Sequence, residues 1–340
     1  RAKDYSDRTV TSIFIGGGTP SLLSGEQIGQ LMDRIREQFA MAQDAEITME
    51  VNPGTASAEK LRNFYTAGIN RLSIGMQSAQ AEELKNLGRI HDFEGFCQVY
   101  REAVEAGFTN INVDIMSGLP GQTLASYRDT LEKVLHLEPM PQHISAYSLI
   151  VEEGTPFAAM AERGELPLPE EETERAMYEE TIEVLAKYGF HRYEISNYAR
   201  DGYECRHNVG YWIRRDYLGF GIGAASLIDN VRFQNEKSLG AYLAHPLESR
   251  EEEQTLTVQD RMEETMFLGL RLTRGVSCVD FAEQYGRAVE EVYGEVIARN
   301  VADGLLTVTE RKENQKKDRF LALTKRGLDL SNYVMAQFLF

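Results

Sequence analysis

The sequence predicts an α/β fold built on a parallel sheet, followed by a smaller, mainly helical domain. Three observations predict it. Short β-branched runs alternate with longer segments of helical period as far as Tyr188. Several of those runs end in Gly- or Pro-rich turns. From about Thr255 the pattern changes to consecutive helices closed by a pair of strands. A crossover helix returns the chain to the same end of the sheet, so strands that alternate with helices pair in parallel.

The elements follow in order. Val10–Ile15 reads as a strand running into Gly16-Gly17-Gly18-Thr19-Pro20. Ser24 and Gln27 form a capping box for a helix whose apolar face is Ile28, Leu31, Met32, Ile35 and Phe39. Glu46–Val51 is a second strand, closed by Asn52-Pro53-Gly54, and a helix over 57–67 stops at Gly68. Arg71–Gly75 is a third strand, and Asp92 caps a helix that buries Phe93, Phe96, Cys97, Tyr100 and Val104. Asn110–Ile115 leads into Gly118-Leu119-Pro120-Gly121 and a helix with Leu124, Tyr127, Leu131 and Val134 on one face. His143–Leu149 is a fifth strand and Glu170–Tyr188 a long helix. An open doubly wound sheet and a barrel both satisfy this order. The lack of a G-x-G-x-x-G turn before the first helix weighs against a dinucleotide-binding version of the former. Beyond Thr255, helices over 258–270, 277–285 and 289–302 precede strands over 305–309 and 320–323 and a last helix over 328–338, which is a winged-helix-like arrangement.

Composition narrows the function. The formal net charge of −17 over 340 residues disfavours nucleic acid and anionic lipid surfaces. No run approaches the ~20 apolar residues of a membrane helix. Cys97, Cys205 and Cys278 lie too far apart for a CxxC metal site or a disulfide framework, which suits a reducing cytoplasm. The first residue is Arg1 rather than Met, so the chain is expected to continue upstream.

Ligands of parallel α/β folds bind at the C-terminal ends of the strands. Those ends carry Gly16-Gly17-Gly18-Thr19, Glu50, Gly75-Met76-Gln77, Asp114 and Ala146-Tyr147, with Arg89 nearby in sequence. Each has a plainer use: a turn, a solvent-side strand residue, a cap, or a surface pair of Arg89 with Asp92 worth about 0–1 kcal/mol. Their joint placement favours a small zwitterion. Glycines admit a ligand to the backbone, a carboxylate takes an ammonium or two hydroxyls, and an arginine clamps a carboxylate.

The runs Ile15–Pro20, Glu50–Pro53, Ser73–Ser78, Leu87–His91, Asn112–Thr123 and His143–Tyr147, in this order and spacing, resemble the HemN/HemW branch of the radical-SAM proteins over nearly the whole chain. The resemblance implies an incomplete (β/α)6 radical-SAM barrel over residues 1–235 and a HemN-type C-terminal domain over 236–340. It puts Gly17, Gly18, Thr19, Glu50, Gln77, Arg89, Asp114 and Ala146 on S-adenosylmethionine (SAM). It also implies a [4Fe-4S] cluster held by a CxxxCxxC loop, expected before Arg1 together with the first barrel strand.

Cys205-Arg206-His207-Asn208-Val209-Gly210-Tyr211-Trp212 matches the HNxxYW signature of one arm of that branch. It implies heme as ligand, with His207 on the iron and Tyr211 and Trp212 stacked on the porphyrin, and an acceptor protein that receives the heme. A lone His beside aromatics also serves as a structural hydrogen-bonding group. The alternative function is oxygen-independent oxidation of coproporphyrinogen III.

Overall fold

The computed structural model describes residue 5 and residues 7–246, 250–313 and 316–339. The chain folds as two compact units, one of residues 2–192 with 196–204 and one of residues 193–195 with 205–340.

In the first unit, strands β1 (Thr9–Ile15), β2 (Ala40–Val51), β3 (Arg71–Gln77), β4 (Ile111–Ser117) and β5 (His143–Ser148) are parallel neighbours in chain order. The intervening helices are α1 (Gly25–Gln38), α2 (Ala58–Thr66), α3 (Ala81–Asn86), α4 (Phe93–Glu105), α5 (Leu124–Leu135), α6 (Pro156–Glu162) and α7 (Glu171–Lys187). The order never reverses, so right-handed crossovers place successive helices on one face and the sheet curls. That settles the choice left open by the sequence: this is a curled half-barrel, not a doubly wound sheet. Two short antiparallel strands, β6 (His191–Arg192) and β7 (Asn197–Ala199), extend the edge beyond β5.

The pleat separates two chemistries. Ile47, Met49 and Val51, then Leu72, Ile74 and Met76, then Ile111, Val113, Ile115 and Ile144 pack with helix residues such as Met32, Phe64, Phe96, Leu131 and Met177 in one apolar core. The alternate residues are polar. In register across the sheet run Glu50, Ser73, Asn112 and His143, and one step higher Gly75, Asp114, Ser145 and Asn197. The helices begin where their caps predict. Ser24 and Gln27 form a reciprocal capping box, Ser57 accepts from the Lys60 amide, and Asp92 accepts from the Gly95 amide.

The second unit begins its regular structure with α8 (Arg206–Trp212), then β8 (Ala225–Ile228), β9 (Val231–Asn235), α9 (Leu239–Ala244) and β10 (Arg250–Thr255). It continues through α10 (Val258–Gly269), β11 (Val276–Ser277), α11 (Cys278–Tyr285), α12 (Val289–Ala302), β12 (Leu306–Glu313), β13 (Lys316–Leu323), α13 (Lys325–Asp329) and α14 (Ser331–Ala336). Helices α10 to α12 and the β11-β13-β12 sheet enclose Met266, Leu270, Phe281, Tyr293, Leu321 and Phe338, a winged-helix-like arrangement. The stretch 205–235, expected with the barrel, belongs to this unit instead. The reason lies in its pairing: β8 and β9 form a sheet with β10, and α8 packs against α10. The single last helix expected over 328–338 is two short ones.

Candidate functional site

The loop after β1 is laid directly on Glu50. The Gly17 amide donates to Glu50 Oε2 at 3.1 Å. A Cβ on Gly16 would stand 2.8 Å from the Phe14 ring and 3.0 Å from the Glu50 carboxyl carbon, and Gly17 and Gly18 take φ of +79° and +63°. Only glycine fits this turn without strain. Lys60 ties the loops after β1 and β2 together, donating to the carbonyls of Ser21, Leu22 and Thr55 at 2.9–3.2 Å.

At the end of β3 the register slips between Gly75 and Gln77, and Gln77 takes φ +68°. A non-glycine residue in this region stores about 1–3 kcal/mol of strain, and such strain gathers at ligand sites. The kink turns the buried Gln77 side chain inward, where Oε1 accepts from the Tyr147 hydroxyl at 3.0 Å. The next residues hold it. Ser78 donates to buried Glu83 at 2.6 Å, and Glu83 also receives Gln122 (3.0 Å) and Ser126 (2.7 Å) from the β4–α5 connection and α5.

These elements enclose a cavity of about 200 Å³ lined by Gly18, Thr19, Glu50, Gln77, Arg89 and Asp114, six of the eight residues expected to hold SAM. Gly17 contributes through its amide on Glu50. Ala146 stands on the other face of the pleat, packed on the apolar core with its amide donated to Ser196 at 2.8 Å. Its neighbour Tyr147 lines the cavity instead. The period of two in β5 is the signal that could have found Tyr147. Asp92 spends its carboxylate on the Gly95 amide at 2.8 Å, and among the described residues no ion pair engages Arg89. A surface Arg89–Asp92 pair is therefore not what keeps Arg89 there.

Burial raises both carboxyls of the cavity. For Glu50 the Gly17 hydrogen bond opposes the shift. Asp114 is pushed up to about 6 by burial, against hydrogen bonds from Asn112 (2.8 Å) and Ser73 (3.2 Å), with Glu50 raising it further and Arg71 lowering it. A folded-state pKa above the ordinary 3.8 means that the group's stabilising contribution is full below about 3.8 and is lost as pH rises through about 6. The ligand-free protein is thus expected to gain stability from pH 7 to pH 5 through this group. Thermal unfolding of Asp114→Asn should lack that increment.

In the second unit, His207 and Tyr211 share one face of α8 one turn apart. His207 Nε2 lies 3.2 Å from Tyr211 Oη, and the two rings meet edge-on at 5.0 Å. Tyr211 in turn meets Tyr217 edge-on at 4.7 Å. Trp212 is one residue further round the helix, and the Arg271 guanidinium sits over its ring at 4.3 Å. The expected pairing of Tyr211 and Trp212 on one ligand face is not what α8 presents. Cys205 is fully buried, which removes it as an open thiolate ligand.

The comparisons with known proteins decide between relatives. Residues 1–134 match the radical SAM superfamily and residues 256–330 the HemN C-terminal domain. The heme chaperone HemW of Bacillus subtilis is 39% identical over 96% of this chain and 85% of its own length. That of Lactococcus lactis is 36% identical over 99% of this chain and 86% of its own. The chain belongs to the HemW family of radical SAM proteins. The solved structure of coproporphyrinogen III oxidase (HemN) from Escherichia coli, described as a radical SAM enzyme, superposes with a TM-score of 0.82 at 26% identity, covering 99% of this chain and 80% of that one.

Radical SAM proteins as a class use SAM and a [4Fe-4S] cluster. This HemW-family chain suits the first: the cavity offers two carboxylates for an ammonium and a ribose, an arginine for a carboxylate, and glycine backbone for close approach. Its cysteines do not suit the second. Cys97 packs on the core side of α4, Cys205 is buried ahead of α8, and burial pushes the Cys278 thiol up to about 11. Among the described residues no cluster of His, Cys, Asp and Glu could hold a metal ion. None of them is helical and apolar for long enough to cross a membrane either.

Proposed function

We propose that this chain binds heme as cargo and passes it to an acceptor protein in the cytoplasm, with SAM held at the strand ends in a supporting role. The carrying observation is that likeness to the HemW relatives spans 96–99% of the chain, so it takes in both the strand-end cavity and α8. Within the cavity, Glu50 takes the SAM ammonium, Arg89 its carboxylate, and Asp114 the two ribose hydroxyls. Gly17, Gly18 and Thr19 meet the ligand with backbone and hydroxyl, and Gln77 and Tyr147 line the same cavity in place of Ala146. When bound, SAM on a reduced cluster supplies radical chemistry. The three cysteines present do not fit that cluster.

In the second unit, His207 ligates the heme iron and Tyr211 abuts the porphyrin. Trp212, covered by Arg271, steadies the end of α8 instead of stacking on the ligand. The exposed Phe220 and Ile222, on the loop after Tyr217, supply apolar surface for a macrocycle. Hemin titration of the full-length protein tests this reading. The wild type should give a shifted Soret band that His207→Ala loses or weakens, and an unchanged spectrum in the variant removes His207 from the ligand set.

The likeness to the HemN structure supports a second reading, coproporphyrinogen III oxidation. Anaerobic incubation of the cluster-loaded full-length protein with SAM and coproporphyrinogen III tests it, and absence of protoporphyrinogen rules it out.

A further inference from the structure

Beneath the cavity, the polar face of the sheet carries a directed chain of hydrogen bonds. His143 opens β5 and is fully buried on this face. Its Nδ1 lies 2.6 Å from Asn112 Oδ1, whereas Ser145 Oγ, 3.2 Å from the same oxygen, has its closer acceptor in Asn197 Oδ1 at 2.6 Å. An amide oxygen only accepts, so the imidazole Nδ1 carries the proton of this bond. With its oxygen engaged by the imidazole, Asn112 points its NH2 group the other way. Nδ2 donates to Ser73 Oγ at 2.7 Å and to Asp114 Oδ1 at 2.8 Å. Ser73 then reaches both oxygens of Asp114, at 3.4 and 3.2 Å. A flipped Asn112 amide would set oxygen against the Asp114 carboxylate and NH2 against the imidazole N–H. The Asp114 carboxylate, which only accepts, therefore sets the polarity of the chain, and the His143 N–H holds the far end of the Asn112 amide. Burial and the nearby Arg71 hold the imidazole neutral.

We propose that His143 is a positioning residue for the ribose of the bound nucleoside: by anchoring the Asn112 oxygen it steadies the amide whose NH2 group holds the Asp114 carboxylate that accepts the ribose hydroxyls. The inference rests on the reading of the cavity as a SAM site. Its signature is ribose discrimination, which a merely structural role would not move selectively.

The test measures the affinity of the full-length, cluster-loaded protein for SAM and for its 2′,3′-dideoxyribose analogue, and compares the ratio between variants. His143→Asn keeps a donor close to the Nδ1 position and should retain the wild-type ratio. His143→Gln keeps a buried amide but displaces the donor from Asn112, and His143→Leu removes it. Both should cut the ratio about tenfold, the scale of one hydrogen bond to a charged group. Asp114→Ala gives the reference for full loss. Wild-type ratios in the Gln and Leu variants, with the ratio lost in Asp114→Ala, overturn the role of His143 alone. A ratio unmoved by Asp114→Ala overturns the SAM reading beneath it. If the Leu variant does not fold, the Asn–Gln comparison decides, and identical behaviour of those two overturns the proposal.

Discussion

Asp114→Ala is expected to weaken SAM binding by on the order of a hundredfold. Hydrogen bonds to an ionised group contribute about 1.5–3 kcal/mol each, and the carboxylate is placed to accept from both ribose hydroxyls. The loss falls short of the full sum because the wild-type carboxylate is costly to ionise in its buried setting, where its pKa stands at about 6. The same fact fixes the pH dependence. Wild-type affinity should hold at neutral pH and fall as pH drops through about 6, while Asp114→Ala should show no such step from this group. Equilibrium dialysis at pH 5, 6 and 7.5 measures both. Affinity unchanged by the substitution would mean that the cavity holds something other than a ribose.

Glu264→Ala is expected to destabilise the second unit by about 3–5 kcal/mol, the scale for a buried ion pair left with one partner. Glu264 on α10 binds Arg214 Nε at 2.8 Å and Arg232 Nη1 at 2.7 Å, and the Glu264 and Arg214 side chains are 8% and 3% exposed. Without the carboxylate two cations remain, one of them almost wholly buried. Arg214 already holds a left-handed φ of +54° and a buried Nη2 with no hydrogen-bond partner. The loss reaches further, because the Arg232 charge also acts on Tyr217, which packs on Tyr211 beside His207. Urea unfolding of the purified variant checks the magnitude; a change below about 1 kcal/mol would show that the pair is worth no more than a surface bridge.

Much of this architecture was legible in the sequence because its signals are local. The caps at Ser24 and Asp92 are written in one or two side chains, and both hold in the structure. The five parallel strands announce themselves by apolar period and by the turns that end them. The polar strand ends were legible for the same reason, since Glu50 and Asp114 interrupt apolar alternation at the place where such folds bind ligands.

What escaped depends on distance or brevity. β6 and β7 span two and three residues, too few to carry a period. The positive φ of Gln77 arises from a register slip against β4, which no residue of β3 encodes alone. Tyr147 was within reach, because strict alternation in β5 separates it from Ala146. The position of Trp212 off the His207–Tyr211 face follows from helical spacing, whereas the Arg271 guanidinium that covers it comes from beyond α10. Residues 205–235 group with the second unit because β8 and β9 find their sheet partner in β10, a pairing that no local signal in the sequence announces.

The central claim, that this chain carries heme to an acceptor, is tested most directly by loading the full-length protein with hemin and mixing it with an excess of an apo-hemoprotein while following the Soret region. The account predicts that the wild type binds hemin with a shifted band, that the spectrum of the loaded acceptor then grows as the first band fades, and that His207→Ala fails at the loading step. A wild-type protein that retains no hemin, or one whose hemin never leaves for the acceptor, would contradict it.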